Sequence, residues 1–334
     1  MKIKNSKILV AALSLSMILS ACGNKEDKNK DDDNKASTET TEKASDENKD
    51  DKDSESKDDD SKDDKDSESK NDDQEDFDIT VVSREDGSGT RGAFIELVGL
   101  EEEKDGDKKD LTTDEAVVQN STNGVMQTVS QDPSAIGYVS LGSVNDNVKK
   151  VKVDGAEATE ENIESGDYTL QRPFNLGFKE DKLDDLGKDF LAFVLSEDAQ
   201  EIVSKEGYIK VESKDYKSKE VEGNLTIAGS TSVTPLMEKL VEKYKEVNPK
   251  AKIEIQSTGS SSGIESTISD VSQIAMASRE LKDDEKDKLD VEVLAKDGIA
   301  VVVNKDDSKI NDLTKDQLKK IFSGDIKNTS DISK

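Results

Sequence analysis

Short apolar runs alternate with a helical apolar stripe along most of the chain. The runs at residues 79–82, 135–141, 225–228, 252–256, 274–277 and 299–303 predict strands. The clearest stripe begins after Ser232, where apolar residues recur at i, i+3, i+4, i+7, i+8 and i+11 from Val233 to Tyr244 and predict an amphipathic helix. This alternation of strand and helix patterns predicts an α/β fold for residues 79–334.

The first 21 residues have the pattern of a secretory signal. Three lysines precede the apolar stretch 8–19, and Leu19-Ser20-Ala21-Cys22 follows it. Such a stretch is typical of an export signal and is too short for a stable membrane span. The four residues Leu19 to Cys22 match the bacterial lipobox. This match predicts a lipoprotein signal peptide at 1–21 and acylation of Cys22, with palmitate as one acyl chain. The alternative is an ordinary signal peptide with an incidental cysteine.

Residues 22–78 are almost wholly polar. They carry 25 acidic residues and 11 lysines, a net charge of −14. Such a segment cannot bury enough apolar surface to offset the entropy lost on ordering. We expect a disordered acidic tether with an end-to-end distance of about 40 Å, extended further by self-repulsion. It would hold the folded part at the outer face of the cytoplasmic membrane; a purely solvating tail is the alternative.

The composition of the whole chain excludes several classes of protein. It has 334 residues, a net charge of −29, no histidine and one cysteine. Zinc fingers, histidine-based triads and disulfide scaffolds therefore lack their essential residues. A pI near 4.4 without a basic cluster argues against binding of nucleic acid. Any anion site must be built from local groups, and we expect no cofactor.

Three predicted strand-to-helix turns share the same residue types. They lie at 82–90, 228–232 and 256–263 and are rich in Gly, Ser and Thr. Free backbone N–H groups, hydroxyl donors and helix N-termini together form an anion site without net positive charge. Arg84 adds a planar fork that suits an oxyanion. One such turn is an ordinary helix cap, but three together predict an anion-binding cleft.

Enzymatic chemistry is not supported by these turns. The phosphate-loop pattern G-x-x-x-x-G-K-[ST] is absent. A serine nucleophile would have no histidine base, and neither a metal cluster nor another general base is evident. We therefore expect a binding protein and not an enzyme.

The same segments resemble the phosphate-binding lipoproteins of the PstS type, which serve phosphate ABC importers. The resemblance covers residues 79–334 through the motifs at 81–90, 135–138, 227–236, 259–263, 277–281, 297–301 and 321–324. It implies a two-lobed, class II periplasmic-binding-protein fold with a hinged cleft that captures inorganic phosphate for a permease. Two alternatives stay open: another tetrahedral oxyanion such as sulfate, and a surface phosphate sensor or adhesin that keeps the fold.

The motifs stand in a different order from that family. There, the Gly229–Ser232 motif lies near the mature N-terminus and the Arg84 motif follows the motif at 321–324. A circular permutation explains this order, with residues 211–224 as the linker; a truncated tandem or rearranged gene is the rival. One lobe would comprise 79–167 and 297–334, and the other 168–296, with hinge crossovers near 168–179 and 295–301.

The resemblance also implies a set of phosphate-binding residues: Arg84, Ser88, Gly89, Thr90, Thr231, Ser232, Ser260 and Ser278. Asp86 would hold Arg84 by a salt link. The family often has Asp where this chain has Ser278, so discrimination against sulfate would rest partly on Asp86, with Arg279 adding a second positive charge. We expect a monomer that contacts an importer permease and the membrane.

Overall fold

The computed structural model describes residues 75–104 and 107–332, so the predicted signal peptide, Cys22 and most of the tether lie outside the described residues. The described strands are β1 Thr80–Arg84, β2 Glu101–Lys104, β3 Asp107–Asp110, β4 Val117–Gln119, β5 Ala135–Ser140, β6 Val148–Val153, β7 Gln171–Phe178, β8 Gly223–Gly229, β9 Ala251–Ser257, β10 Ile274–Ala277, β11 Asp290–Asn304 and β12 Asp312–Leu313. The described α-helices are α1 Gly89–Val98, α2 Thr122–Gln131, α3 Glu160–Ser165, α4 Asp185–Val194, α5 Glu197–Lys205, α6 Thr234–Val247, α7 Ser260–Ile268, α8 Asp283–Lys286 and α9 Lys315–Ser323.

All six predicted strands and the predicted helix are confirmed. The helix is α6, whose apolar stripe is buried: Leu236, Met237, Leu240, Val241 and Tyr244. A proline in its first turn pre-sets the helical backbone angle. Each of these large apolar side chains contributes about 1.5–3 kcal/mol on burial, which is why the stripe faces inward.

The main sheet runs in the order β4-β1-β5-β11-β7-β10-β8-β9; off this path, β6 pairs with β11, and β12 pairs with β6. β1 is parallel to β4 and β5, and β8 is parallel to β9 and β10. β11 is antiparallel to β7 over its first part and to β5 and β6 over its second. The strands β7 and β11 therefore join the two parallel parts of the sheet.

Two large apolar cores lie on either side of this junction. The first core surrounds β1, β5, β6 and the second part of β11, and contains Phe94, Tyr138 and Phe322 among its buried residues. The second core surrounds β7, β8 and α4 to α6, and contains Phe190 and Tyr244. Each parallel part of the sheet thus has its own packed interior.

Helix α7 packs directly against the end of β8. A Cβ atom at Gly263 would lie 2.4 Å from the carbonyl oxygen of Ala228, closer than any side chain tolerates. Glycine at this position lets the two backbones touch. This close approach brings the N-terminus of α7 beside the turn after β8.

Residues 211–222 carry no helix or strand but are held to the second core. The Tyr216 hydroxyl donates to Asp189 Oδ2 at 3.0 Å, and the Tyr216 ring packs on Phe193 at 5.5 Å. At the other end of the fold, Phe77 exchanges hydrogen bonds with Thr329, so the two ends of the described region meet. Within the described residues, the helices are all too short or too polar to cross a membrane.

Candidate functional site

Helix N-termini from both parts of the sheet meet in one buried hydroxyl cluster. Thr90, in the first turn of α1, lies with its Oγ1 2.8 Å from Ser232 Oγ. Ser230 Oγ donates to Ser278 Oγ at 2.8 Å, and Ser260 Oγ lies 3.4 Å from the same atom. All five side chains are at most 2% exposed. Residues far apart in sequence therefore form a single buried cluster of hydroxyls.

The guanidinium of Arg84 is held rigidly beside this cluster. The side chain of Arg84 is 2% exposed. Its Nε and Nη2 atoms each lie 2.8 Å from a carboxylate oxygen of Glu85. Nη2 also donates to Thr231 Oγ1 at 3.1 Å, and Nε to the carbonyl of Gln119 at 3.2 Å. The fork is thereby fixed at the cluster and its charge is compensated.

The expected role of Asp86 is wrong. The Asp86 side chain is 99% exposed and lies 3.4 Å from Arg91, while Glu85 takes the place beside Arg84. The tight turn after β1 places Glu85 against the sheet and leaves Asp86 at the turn's outer corner. Adjacent residues in a turn point in different directions, which sequence spacing alone could not resolve.

Replacing Glu85 with glutamine should lower the free energy of unfolding by about 1–2 kcal/mol, because the substitution leaves the buried Arg84 charge without its anionic partner. The effect is no larger because the Glu85 side chain is only partly buried. The matched change Asp86→Asn removes an exposed carboxylate and should alter stability by less than about 0.5 kcal/mol. Urea unfolding of the phosphate-free protein measures both. Equal effects of the two changes would contradict the pairing of Arg84 with Glu85.

Ser88 and Gly89 bring α1 against the second part of the sheet. Ser88 caps the helix, and its Oγ accepts a hydrogen bond from the backbone N–H of Arg91 at 3.3 Å. The position that a Cβ on Gly89 would occupy lies 2.3 Å from Ser260 Oγ and 2.6 Å from Ser278 Oγ. The backbone at Gly89 therefore lies directly against the hydroxyls of the cluster.

Thr122 belongs to the cluster and was not predicted. Its Oγ1 lies 3.1 Å from Ser232 Oγ and 3.4 Å from Thr231 Oγ1. Thr122 begins α2, after the short and mostly exposed strand β4. The signal was a fourth turn rich in Ser, Thr and Gly, at 121–124, but β4 has no buried apolar run to mark it as a strand-to-helix turn.

The region around Ser278 carries two arginines with different roles. Arg279, expected to add a second positive charge, is bound by Glu285 through contacts of 2.7 and 2.8 Å. Burial alone would raise the pKa of Glu285, but hydrogen bonds from Arg279 and from the Lys282 backbone lower it, so Glu285 is a carboxylate facing Arg279. Arg172, which was not predicted, donates from Nη1 to the Ser278 carbonyl at 3.0 Å.

This architecture is that of a known class of binding proteins. The chain matches the family described as a PBP superfamily domain over residues 30–198 and 215–332. The fold is a mixed α/β, two-lobed fold of the periplasmic-binding-protein kind.

Two relatives show to which family of this superfamily the chain belongs. "Phosphate-binding protein PstS 2" of Streptococcus agalactiae is 52% identical over 259 residues, which are 77% of this chain and 88% of that protein. The crystal structure of a phosphate ABC transporter, phosphate-binding protein from Streptococcus pneumoniae is similar with a TM-score of 0.63 and 43% identity, over 77% of this chain and 100% of that chain. The chain therefore belongs to the PstS phosphate-binding proteins of the PBP superfamily.

A further relative matches a smaller part of the chain. "Phosphate-binding protein PstS" of Staphylococcus haemolyticus is 38% identical over 122 residues, which are 34% of this chain and 39% of that protein. Similarity within the family thus extends over nearly the whole of some members and over roughly a third of others.

Proposed function

We propose that this protein captures inorganic phosphate between its two lobes and delivers it to the permease of an ABC importer. The observation that carries the proposal is the meeting of hydroxyls from four helix N-termini in one buried cluster, with the buried guanidinium of Arg84 in contact with one of them, Thr231 Oγ1. The names of the relatives from Streptococcus agalactiae and Streptococcus pneumoniae support phosphate as the ligand. Arg84, Ser88, Gly89, Thr90, Thr231, Ser232, Ser260 and Ser278 are the proposed phosphate-binding residues, and Thr122 joins them.

The chemistry of the cluster suits a tetrahedral oxyanion. Phosphate oxygens accept hydrogen bonds from hydroxyls, from the backbone N–H groups at Gly89 and Thr90, and from the Arg84 fork. Hydrogen bonds to a charged partner contribute about 1.5–3 kcal/mol each. A handful of them supplies the roughly 8 kcal/mol of a micromolar dissociation constant.

Calorimetric titration of the purified protein with phosphate, and separately with sulfate, tests the ligand. The protein is first unfolded and refolded to remove anion carried through purification. Phosphate binding without a sulfate signal supports the proposal and shows that Ser278 suffices for discrimination. Equal binding of both anions makes the protein a general oxyanion binder, and binding of neither by the folded protein refutes the proposal.

Delivery to an importer is tested separately from binding. Deletion of the gene should abolish high-affinity phosphate uptake by the cell. Unchanged uptake, together with phosphate binding in vitro, would favour a sensor or adhesin that keeps the fold.

We also propose the lobe boundaries 79–167 with 297–334 for one lobe and 168–296 for the other. The separate cores support this division, because nearly every residue of the first core falls in the first lobe and every residue of the second core in the second. The exceptions, Tyr168, Leu170 and Ile209, lie in or beside the two connecting strands. β7 and β11 would then form the hinge between the lobes.

Circular permutation is the proposed origin of the motif order. The match to the Streptococcus agalactiae protein extends over 88% of that protein, whereas the match to the Staphylococcus haemolyticus protein covers only 122 residues. A permuted chain aligns with an unpermuted relative over one segment only. The short match to the Staphylococcus haemolyticus protein therefore supports a permutation that separates some members of the family from others. The segment 211–222, which carries no helix or strand and lies on the surface of the second core, agrees with the proposed role as the linker.

A chain in which the two segments on either side of the proposed linker exchange places should fold and bind phosphate. It would begin at Glu220, run to residue 332, continue through a short Gly-Ser linker into residue 75 and end at Lys219. The paired ends near Phe77 and Thr329 leave little distance to bridge, and Lys219 and Glu220 are exposed. We expect phosphate affinity within about threefold of the natural order, because no contact of the cluster is cut. An insoluble or non-binding product would contradict a simple permutation.

Lipid attachment at Cys22 is proposed from the lipobox. Cys22→Ser should release the protein from the membrane into the medium, because the anchor depends on acyl chains buried in the bilayer. Fractionation of cells labelled with radioactive palmitate measures both the label and the location. Membrane retention of an unlabelled Cys22→Ser protein would refute the anchor, and light scattering of the released form tests the expected monomer.

A further inference from the structure

A buried ion pair joins the two strands that connect the cores. Arg172 on β7 and Asp297 on β11 are register partners, and Arg172 Nε and Nη2 lie 3.1 and 2.9 Å from Asp297 Oδ2. Their side chains are 1% and 0% exposed. On β7, Arg172 stands between Leu170 of the first core and Phe174 of the second. The pair therefore lies where the chain passes from one core to the other.

Each member of the pair has a further partner on a different side of the crossing. Asp297 Oδ1 accepts a hydrogen bond from Ser140 Oγ at 2.9 Å, at the end of β5 in the first part of the sheet. Arg172 Nη1 donates to the carbonyl of Ser278 at 3.0 Å, in the second part and within the hydroxyl cluster. A continuous series of polar contacts thus leads from β5 through the crossing strands to the anion site.

Stability gives little reason for charges at this place. Burial raises the pKa of Asp297 and lowers that of Arg172, so each ionised form carries a desolvation cost that the other must offset. Apolar replacements of such pairs in other proteins often fold as well or better. A role in positioning accounts better for a charged pair at the junction of two cores.

We propose that Ser140, Asp297 and Arg172 form a positioning relay that sets the Ser278 backbone in the anion site according to the angle between the lobes. This inference rests on the proposed phosphate function. Arg172 and Asp297 are not themselves proposed to touch the anion. When the lobes rotate about β7 and β11, the contact with Ser140 changes first, and Arg172 transmits the change to Ser278.

The test compares Asp297→Asn and Ser140→Ala with the control Asp189→Asn in the purified full-length protein. Asp189 is 1% exposed and its Oδ2 accepts hydrogen bonds from Tyr216, Tyr244 and Asn248 within the second core, away from the cluster. We expect at least tenfold weaker phosphate binding for Asp297→Asn, through faster dissociation, and about threefold for Ser140→Ala. Asp189→Asn should lower the urea midpoint but leave phosphate affinity within twofold.

A second readout separates this inference from the function on which it rests. The Ser278 amide donates to Ser260 Oγ at 3.2 Å, so its hydrogen exchange reports how firmly the backbone is held. Exchange at Ser278 should be at least tenfold faster in Asp297→Asn than in Asp189→Asn, whether or not the natural protein binds phosphate. Absence of phosphate binding by the natural protein refutes the function, whereas unchanged Ser278 exchange overturns the relay. If Asp297→Asn does not fold, phosphate affinity and Ser278 hydrogen exchange are measured in Ser140→Ala instead. Values equal to those of the natural protein in both measurements overturn the relay.

Discussion

Replacing Arg84 with alanine should weaken phosphate binding by at least tenfold and by up to about a hundredfold. Arg84 is a buried cation in contact with a hydroxyl of the cluster, and its fork is already oriented by Glu85 and Thr231. Loss of a charged hydrogen-bonding partner costs about 1.5–3 kcal/mol. The carboxylate of Glu85 would then stand unpaired beside the anion, and its repulsion adds to the loss.

Calorimetry with phosphate measures the effect, and Arg84→Lys is the matched variant. Lysine keeps the charge but cannot reproduce the planar fork that contacts Glu85 and Thr231 together. The phosphate affinity of Arg84→Lys should therefore lie between the affinities of the natural protein and of Arg84→Ala. Natural affinity in Arg84→Ala, with an unchanged urea midpoint, would remove Arg84 from the site.

A single added methyl group at position 89 should hinder closure of the lobes. The Cβ of Gly89→Ala would lie 2.3 Å from Ser260 Oγ and 2.6 Å from Ser278 Oγ across the cleft. Overpacking of this kind costs about 1–3 kcal/mol. If the proposed closure of the two lobes brings Gly89 against these hydroxyls, the clash opposes the phosphate-bound form, and we expect phosphate affinity to fall by roughly five- to a hundredfold, at 1.4 kcal/mol per tenfold.

The same helix provides the control. Gly92 also lies in α1, but its Cβ would lie no closer than 3.5 Å to another residue, at Arg279 Cδ. Gly92→Ala should therefore keep phosphate affinity within twofold and stabilise the helix slightly, because alanine has the higher helix propensity. Equal losses of affinity in the two variants would show that helix α1 tolerates no substitution and that closure is not the cause.

Much of the fold could be predicted because strand and helix signals are local. The apolar runs became strands in the expected places, and the stripe after Ser232 became α6. Strand β11 was predicted only over 299–303, yet it begins at Asp290. Lys296 and Asp297 interrupt the apolar pattern there, and the burial of Asp297 depends on Arg172, which is distant in sequence.

The candidate site was predictable in its residue types but not in its pairings. Gly, Ser and Thr at the turns indicated hydroxyl and backbone donors, and the structure brings Arg84, Thr90, Ser232, Ser260 and Ser278 into one region. The partner of Arg84 was assigned to Asp86 instead of Glu85. Which of two neighbouring carboxylates meets a guanidinium depends on the backbone path through the turn.

The α/β class, the strand-to-helix turns and the types of hydrogen-bond donor follow from the amino-acid sequence, because periodicity, helix capping and hydroxyl chemistry are properties of neighbouring residues. Three contacts become visible only in the folded chain: Thr122 joins the cluster, Glu85 orients Arg84, and Arg172 meets Asp297 between the cores. These contacts join residues separated by up to 125 positions. Chain folding, and not local preference, determines such partners, since each depends on how the strands pack in space or on the path of the backbone through a turn.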